Sequence, residues 1–132
     1  MAYWLLKSEP ESYSWDDLLR EGETEWTGVR NPGAALHLKA MAVGDRALFY
    51  HSGKEKAAVG VTEVTRTAQQ DGGEPRWVSV AVKPVEPLAK PVKLAAMKAE
   101  PKLAGMEMLR QSRLSVSPVR DAEWAVLTGM AR

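Results

Sequence analysis

The segment at residues 26–31 combines side chains that can bind a flat, hydrogen-bonding ligand. Trp26 offers an aromatic face for stacking, and Gly28 allows close approach because it carries no side chain. Arg30 adds a fixed cation, and Asn31 offers a donor and an acceptor to the edge of a base. A simpler interpretation also fits these residues, in which Trp26 belongs to the core and the rest form a turn. Residues elsewhere in the chain are needed to choose between the two.

Polar residues in other segments can complete a pocket for a single-stranded or extruded base. Such a pocket needs an aromatic floor and polar groups that meet the Watson–Crick edge of the base. Trp26 is the candidate floor. The candidates for contacts to the edge of the base are Ser8, Asn31, His51 and Ser52, and those for contacts to a phosphate are Lys7, Arg30 and Arg113. For His51, a structural role fits as well as a ligand contact.

Two other classes of function use different residues. A nucleic-acid enzyme would need His51 as the base for Ser8 or Ser52, but adjacent strand residues point to opposite faces, so His51 is poorly placed to activate Ser52. Gly72-Gly73 lacks the lysine and the helix of a phosphate-binding loop. We therefore expect a binding protein and no catalytic residues. The third class is a protein-interaction module that uses the proline-rich segment at residues 84–101.

Composition narrows the cofactors, partners and location. The chain has no cysteine and only two histidines, which argues against a structural zinc, and we expect no metal and no cofactor. It has no membrane-length apolar run and no basic leader at the start, so we expect a cytoplasmic protein without membrane contact. At 132 residues we expect one domain over residues 1–132, as a monomer.

Charge is unevenly distributed although the net charge is only +1. Residues 1–27 contain two basic and seven acidic side chains, whereas residues 83–113 contain seven basic and three acidic ones. The basic segment is either one face for a phosphate backbone or an ordinary solvated surface. A chain with so small a net charge is not expected to be a strong nonspecific DNA binder.

Apolar patterning predicts an α+β fold with five or six strands and short interspersed helices, arranged as a small mixed β-barrel and not as a βαβ sheet. The predicted strands cover residues 3–7, 24–29, 46–51, 57–67 and 77–82, with a last extended pair at 106–109 and 113–116. The predicted helices follow Ser14 and Asn31, lie around residues 94–98, and close the chain at 121–130.

Several positions carry more detailed expectations. Trp15, Leu18 and Leu19 are expected to be buried by the first helix, and His37 is expected to face solvent. Gly60 predicts a bulge or a close contact within its strand. The prolines between residues 84 and 101 predict a break in regular structure.

Four separated segments together resemble the EVE domain. They are Trp4-Leu5-Leu6-Lys7-Ser8-Glu9-Pro10, Trp26-Thr27-Gly28-Val29-Arg30-Asn31, Phe49-Tyr50-His51-Ser52 and Arg110-Gln111-Ser112-Arg113-Leu114-Ser115-Val116. The resemblance implies a PUA-like barrel related to the YTH domain, with a pocket for a modified base in DNA or RNA. A cytosine modified at its fifth carbon, or another methylated base, is the expected ligand. The pocket positions implied by the resemblance are Lys7, Ser8, Glu9, Trp26, Asn31, His51, Ser52, Arg113 and Ser115.

The chain departs from the family pattern beside these positions. An acidic residue is common where this chain has Thr27, and an aromatic residue or histidine followed by glutamine is common at Pro32-Gly33. A polar residue is usual where Leu36 stands. These differences flank the expected pocket and leave its aromatic floor in place.

Overall fold

The computed structural model describes all 132 residues as six strands and five α-helices. The strands are β1 (Tyr3–Ser8), β2 (Thr24–Trp26), β3 (Arg46–His51), β4 (Ala57–Gln70), β5 (Val78–Lys93) and β6 (Val116–Val119). The helices are α1 (Trp15–Glu21), α2 (Pro32–Ala40), α3 (Leu94–Ala99), α4 (Glu107–Arg110) and α5 (Asp121–Met130), with a 3₁₀ turn at Pro101–Leu103. No helix combines the length and the apolar character needed to cross a bilayer.

All six strands form one mixed sheet in the order β2-β5-β4-β3-β1-β6. Strands β1 and β3 are parallel, and the other neighbouring pairs are antiparallel. Helix α2 packs against β4, β5 and β6, although β5 and β6 lie near opposite edges of the sheet. A flat sheet would hold these two strands about 19 Å apart, so the sheet curls around α2. The predicted α+β barrel is confirmed.

Strand β3 separates two hydrophobic cores, as its alternating sequence predicts. Ala47 and Phe49 face the core that also contains α1, α2 and Trp26. Leu48 and Tyr50 face the core that is closed by α3, α4 and α5. Both faces of β3 are buried, and His51 at its end is buried as well.

The first two helices begin where the sequence predicts. Ser14 and Asp17 form a reciprocal capping box for α1, and Gly22 ends that helix with a φ of +78°. Trp15 and Leu18 are buried, but Leu19 is 49% exposed, so the prediction for Leu19 is wrong. The helix has room for only one apolar stripe, and Leu19 lies beside it.

His37 is half-buried, although the sequence predicted that it would face solvent. Its ring lies 6.0 Å from the ring of Trp4. Burial lowers the pKa of His37, and the charge of Glu107 opposes this shift only in part. Periodicity placed His37 off the main stripe of α2, but the curled sheet covers that side of the helix as well.

Two predictions for the C-terminal half are wrong. Strand β5 continues through Pro84, Pro87 and Pro91, where a break was expected. Strand β2 pairs with β5 only from Val80 to Val82, so the prolines lie where β5 has a free edge and where its register with β4 shifts. A missing N–H costs little at such positions. Residues 106–109 and 113–116 do not form the expected extended pair. Residues 107–109 lie in α4, and of residues 113–116 only Val116 lies in a strand, β6.

Gly60 lies against the first helix. A Cβ built at this position would lie 2.5 Å from two carbon atoms of the Trp15 ring. Only glycine therefore allows the indole of α1 to pack on β4 without displacement.

Gly60→Ala should destabilise the fold by about 1–3 kcal/mol, as expected for overpacking of a close-packed interior. Denaturant midpoints give the measurement. Gly73→Ala is the matched control, because a Cβ there would meet nothing within 4 Å. Equal midpoints for the two variants would contradict the contact between Trp15 and β4.

Asp45 joins the starts of β1 and β3. This carboxylate is 5% exposed and accepts hydrogen bonds from Trp4 Nε1 at 3.0 Å, the Ala42 amide at 3.0 Å and the Ala2 amide at 3.1 Å. Burial by itself would raise the pKa of Asp45, but the three donors outweigh it and hold the pKa below its usual value.

Asp45→Asn should lower the free energy of unfolding at pH 7 by about 1.5–3 kcal/mol, because an amide replaces one of two accepting oxygens. Because the pKa of Asp45 is lower in the folded than in the unfolded protein, its ionised carboxylate stabilises the fold at pH values above the unfolded pKa of about 3.9. This stabilisation is lost as the pH falls through the folded pKa. The difference between wild type and variant should therefore shrink only below about pH 4. A difference that is constant from pH 7 to pH 3 would contradict this role.

Candidate functional site

A cleft of about 460 Å³ opens at the ends of β1 and β2. This volume is in the range of small-ligand pockets, which measure about 300–1,000 Å³. The loop between β2 and α2 forms one wall, and β1 and the residue before β6 form another. The lining residues are Lys7, Ser8, Tyr13, Glu21, Thr24, Glu25, Trp26, Thr27, Gly28, Val29, Arg30, Asn31 and Ser115.

Trp26 belongs both to the core and to the cleft. Its indole meets the Phe49 ring edge-on at 5.5 Å and the Tyr13 ring edge-on at 6.4 Å. Only 8% of the residue is exposed, and it is one of three hydrophobic residues that line the cleft. The two interpretations of Trp26 are therefore compatible. Its neighbours fix the ring, and the remaining exposed strip faces the cleft.

Asp71, in the loop between β4 and β5, holds the wall formed by residues 27–31. Its Oδ2 accepts from the Gly28 amide at 2.8 Å and from Arg30 Nη1 at 3.0 Å. These two donors lower the pKa of the Asp71 carboxyl. Gly28 has a φ of +80°, a conformation that glycine adopts without strain. The Arg30 guanidinium also lies 5.7 Å from the Trp77 ring, so Arg30 supports the loop and is not a free phosphate ligand in this conformation.

Asn31 caps α2 at the inner end of the same loop. Its Oδ1 accepts from the Ala34 amide at 3.0 Å, which fixes the side-chain orientation. The Nδ2 group has no hydrogen-bond partner within the chain. Of the donor and acceptor expected from the sequence, Asn31 therefore retains mainly its donor for a ligand.

Lys7 and Ser8 reach the cleft because β1 ends there. Lys7 Nζ donates to the Ser112 carbonyl at 2.8 Å, and burial lowers the pKa of this amine. The Ser8 hydroxyl donates to the Tyr13 carbonyl at 2.5 Å. The Lys7 amide also donates to the Ser115 carbonyl at 2.9 Å, and this bond brings Ser115 to the cleft wall.

The remaining predicted site residues lie outside the cleft. His51 is buried, and its Nε2 accepts from the Trp15 amide at 3.0 Å. Its Nδ1 therefore carries the proton and donates to Glu55 Oε1 at 2.8 Å. Both ring nitrogens are engaged, so the structure gives His51 the structural role that the sequence left open.

Glu9, Ser52 and Arg113 occupy three different places. Glu9 is exposed, and its carbonyl accepts from the amides of Ser12 and Tyr13. Ser52 lines a separate cavity of about 340 Å³. Arg113 lines a shallow groove beside Asn31. None of the three lines the cleft beside Trp26.

Sequence reasoning missed Tyr13, Glu21, Glu25 and Asp71. Tyr13 O–H donates to Glu21 Oε1 at 2.8 Å, and burial raises the pKa of the phenol. Glu25 Oε2 accepts from Ser79 Oγ at 2.6 Å. The acidic balance of residues 1–27 indicated that carboxylates lie near Trp26, but it did not show which ones line the cleft.

Comparison with known proteins identifies the family. A model of the EVE domain matches residues 2–130. Human thymocyte nuclear protein 1 is 30% identical over an alignment of 159 residues, which covers 93% of this chain and 71% of the human protein. A fission yeast protein, C21.03c, is also 30% identical and aligns over 89% of this chain and 58% of its own length.

Solved structures agree. The solution structure of Rpa0253 from Rhodopseudomonas palustris has a TM-score of 0.94 at 47% identity, covering 99% of this chain and 93% of that one. The crystal structure of human THYN1 in complex with DNA containing 5-methylcytosine has a TM-score of 0.94 at 28% identity, covering 100% of this chain and 98% of that one. The family match over almost the whole chain and the likeness to these structures lead to one conclusion: this chain belongs to the EVE domain family.

Proposed function

We propose that this protein binds DNA containing 5-methylcytosine or a related modified cytosine, and that the modified base enters the cleft beside Trp26. One observation carries the proposal: a cleft of about 460 Å³ joins an immobilised indole to polar side chains, among them Asn31 with its unpaired Nδ2 group. The likeness to human THYN1, which was crystallised with DNA containing 5-methylcytosine, supports the choice of ligand. A base within a duplex cannot reach such a cleft, so binding requires extrusion from the stack.

The polar groups of the cleft match the Watson–Crick edge of cytosine. Cytosine offers two acceptors, at N3 and O2, and one donor group at N4. Asn31 Nδ2 supplies a donor, while Glu21 and Glu25 supply carboxylate acceptors. Thymine presents an N3–H donor where cytosine presents an acceptor, so a site with a donor facing N3 discriminates against it.

Binding without turnover is the simpler proposal for this site. A hydrolytic enzyme based on His51 would need a free ring nitrogen beside a serine. Trp15 and Glu55 occupy both nitrogens of His51, and the Ser8 hydroxyl already donates to a carbonyl.

Trp26→Leu should weaken binding of an oligonucleotide that carries one 5-methylcytosine by about tenfold to a hundredfold, the affinity of one stacked base. Fluorescence anisotropy with modified and unmodified oligonucleotides gives the measurement. Trp15→Leu is the matched control, because Trp15 is equally buried in the same core but does not line the cleft. Equal losses of affinity in the two variants would refute a base contact at Trp26. So would an unchanged ratio of the affinities for modified and unmodified oligonucleotides in both variants.

Asp71→Asn should reduce affinity for the same oligonucleotide by about threefold to tenfold, because the wall at residues 27–31 loses the charge that fixes it. Glu74→Gln in the same loop is the control: it removes an exposed ion pair with Arg76 and touches no cleft residue. Removal of either carboxylate makes the protein more positive and by itself favours binding of a polyanion. If Glu74→Gln nevertheless weakens binding as much as Asp71→Asn, the loss does not come from the contacts of Asp71 with residues 27–31.

A further inference from the structure

A second cavity, of about 340 Å³, shares Lys7 with the cleft. Lys7, Lys56 and Lys98 bring three positive charges to it, and Ser52 and Ser112 add hydroxyl groups. Tyr50, Leu94, Met108 and Leu109 supply its apolar surface, and no carboxylate lines it. We call this space the lysine cavity.

The charges of the lysine cavity are not neutralised by the protein. None of its three lysines lies within 4.0 Å of a carboxylate oxygen. The nearby acid is Glu55, which lines an adjoining groove with Lys56 and Lys98, and it pairs with the His51 ring. Lys7 Nζ donates one of its three hydrogens to the Ser112 carbonyl, so two remain for hydrogen bonds to an anion. Lys56 and Lys98 are exposed, whereas Lys7 is half-buried without a counterion, so a bound anion would offset the cost of burying the Lys7 charge.

The backbone at Lys56 supports a functional role for its side chain. Lys56 is the only residue other than glycine with a positive φ, at 50°. The Leu94 amide donates to its carbonyl at 2.8 Å, which fixes this conformation. Glycine or asparagine would adopt it at less cost. Backbone strain of this kind clusters at functional sites, which directs attention to the Lys56 side chain.

We infer that the lysine cavity binds a phosphate of the same nucleic-acid strand whose modified base occupies the cleft, so that Lys7 lies between base and backbone. Every base in a strand is flanked by phosphates, and the shared lysine makes an adjacent phosphate the natural occupant. Ammonium and hydroxyl donors match phosphate oxygens, and the apolar surface suits the face of a sugar. This inference rests on the proposed function and adds a strand path to it. Because a phosphate contact does not distinguish one base from another, it should contribute to affinity and leave the preference for the modified base unchanged.

The test uses a single-stranded oligonucleotide with one 5-methylcytosine, titrated against the full chain over a range of NaCl concentrations. For single strands, the slope of log affinity against log salt falls by about 0.7 for each phosphate contact removed. Lys56→Gln/Lys98→Gln should lose about that much slope and keep the ratio of modified to unmodified affinity. Lys39→Gln, an exposed lysine at the far end of α2, should keep the slope of the wild type apart from a small change in overall charge.

A second arm locates the phosphate. Replacing the phosphodiester on one or the other side of the modified base by an uncharged methylphosphonate should weaken wild-type binding on one side, and should have no further effect on the double variant. Lys56→Gly provides a folding control, since it removes the ammonium and relieves the positive φ. Its denaturant midpoint should equal or exceed that of the wild type, while its salt slope still falls.

The outcomes separate this inference from the proposed function. Equal salt slopes in the double variant and in Lys39→Gln, or methylphosphonate effects that persist in the double variant, would overturn the lysine cavity as the phosphate site. Equal wild-type affinity for modified and unmodified strands would refute the proposed function. A slope difference that survived in that case would still place a phosphate in the lysine cavity.

Discussion

The packing around Phe49 connects the hydrophobic interior to the cleft. This fully buried ring is the only phenylalanine in the chain, and its centroid lies 5.5 Å from Trp26, 5.7 Å from Trp15 and 5.6 Å from His51. All three neighbours present their rings nearly at right angles to it, the arrangement that aromatic quadrupoles favour. Trp26 is therefore held by the core even though part of it faces the cleft. A rigid aromatic wall costs a ligand little ordering entropy, because the protein has already fixed the ring during folding.

The parallel pairing of β1 and β3 brings the polar residues to one end of that core. In register, Lys7 stands beside Tyr50 and Ser8 beside His51. The His51 ring then holds the first amide of α1, while the Ser8 hydroxyl holds the Tyr13 carbonyl just before that helix. Residues that look like a reactive pair in the sequence thus attach the segment that carries Tyr13. His51 contributes to the cleft indirectly, by fixing one of its walls.

The sequence determined those features that depend on near neighbours. The starts of α1 after Ser14 and of α2 after Asn31, and the bounds of β3, depend on local sequence, and the structure has them as predicted. Gly60 was also recognisable as a close contact, although its partner, Trp15, was not. Apolar patterning indicated the small mixed barrel and the resemblance to a known family implied the same architecture, but helix and strand patterns do not fix the order of six strands.

The missed features depend on contacts between distant residues. Asp71 reads as an ordinary turn residue, and its role appears only when the loop between β4 and β5 meets Gly28 and Arg30, more than 40 positions earlier. The prolines of β5 were misread because a proline breaks a strand only where a partner needs its N–H, and that depends on the length of β2.

The positions of the charged residues in the fold also depend on contacts between distant residues, so the charges could be counted from the sequence but their locations could not be predicted. The acidic N-terminal segment supplies carboxylates to the cleft, Arg30 is paired with Asp71, and the unpaired lysines gather in a neighbouring cavity. On the proposed function, this division lets a chain with a net charge of +1 select a base without strong attraction to every nucleic acid.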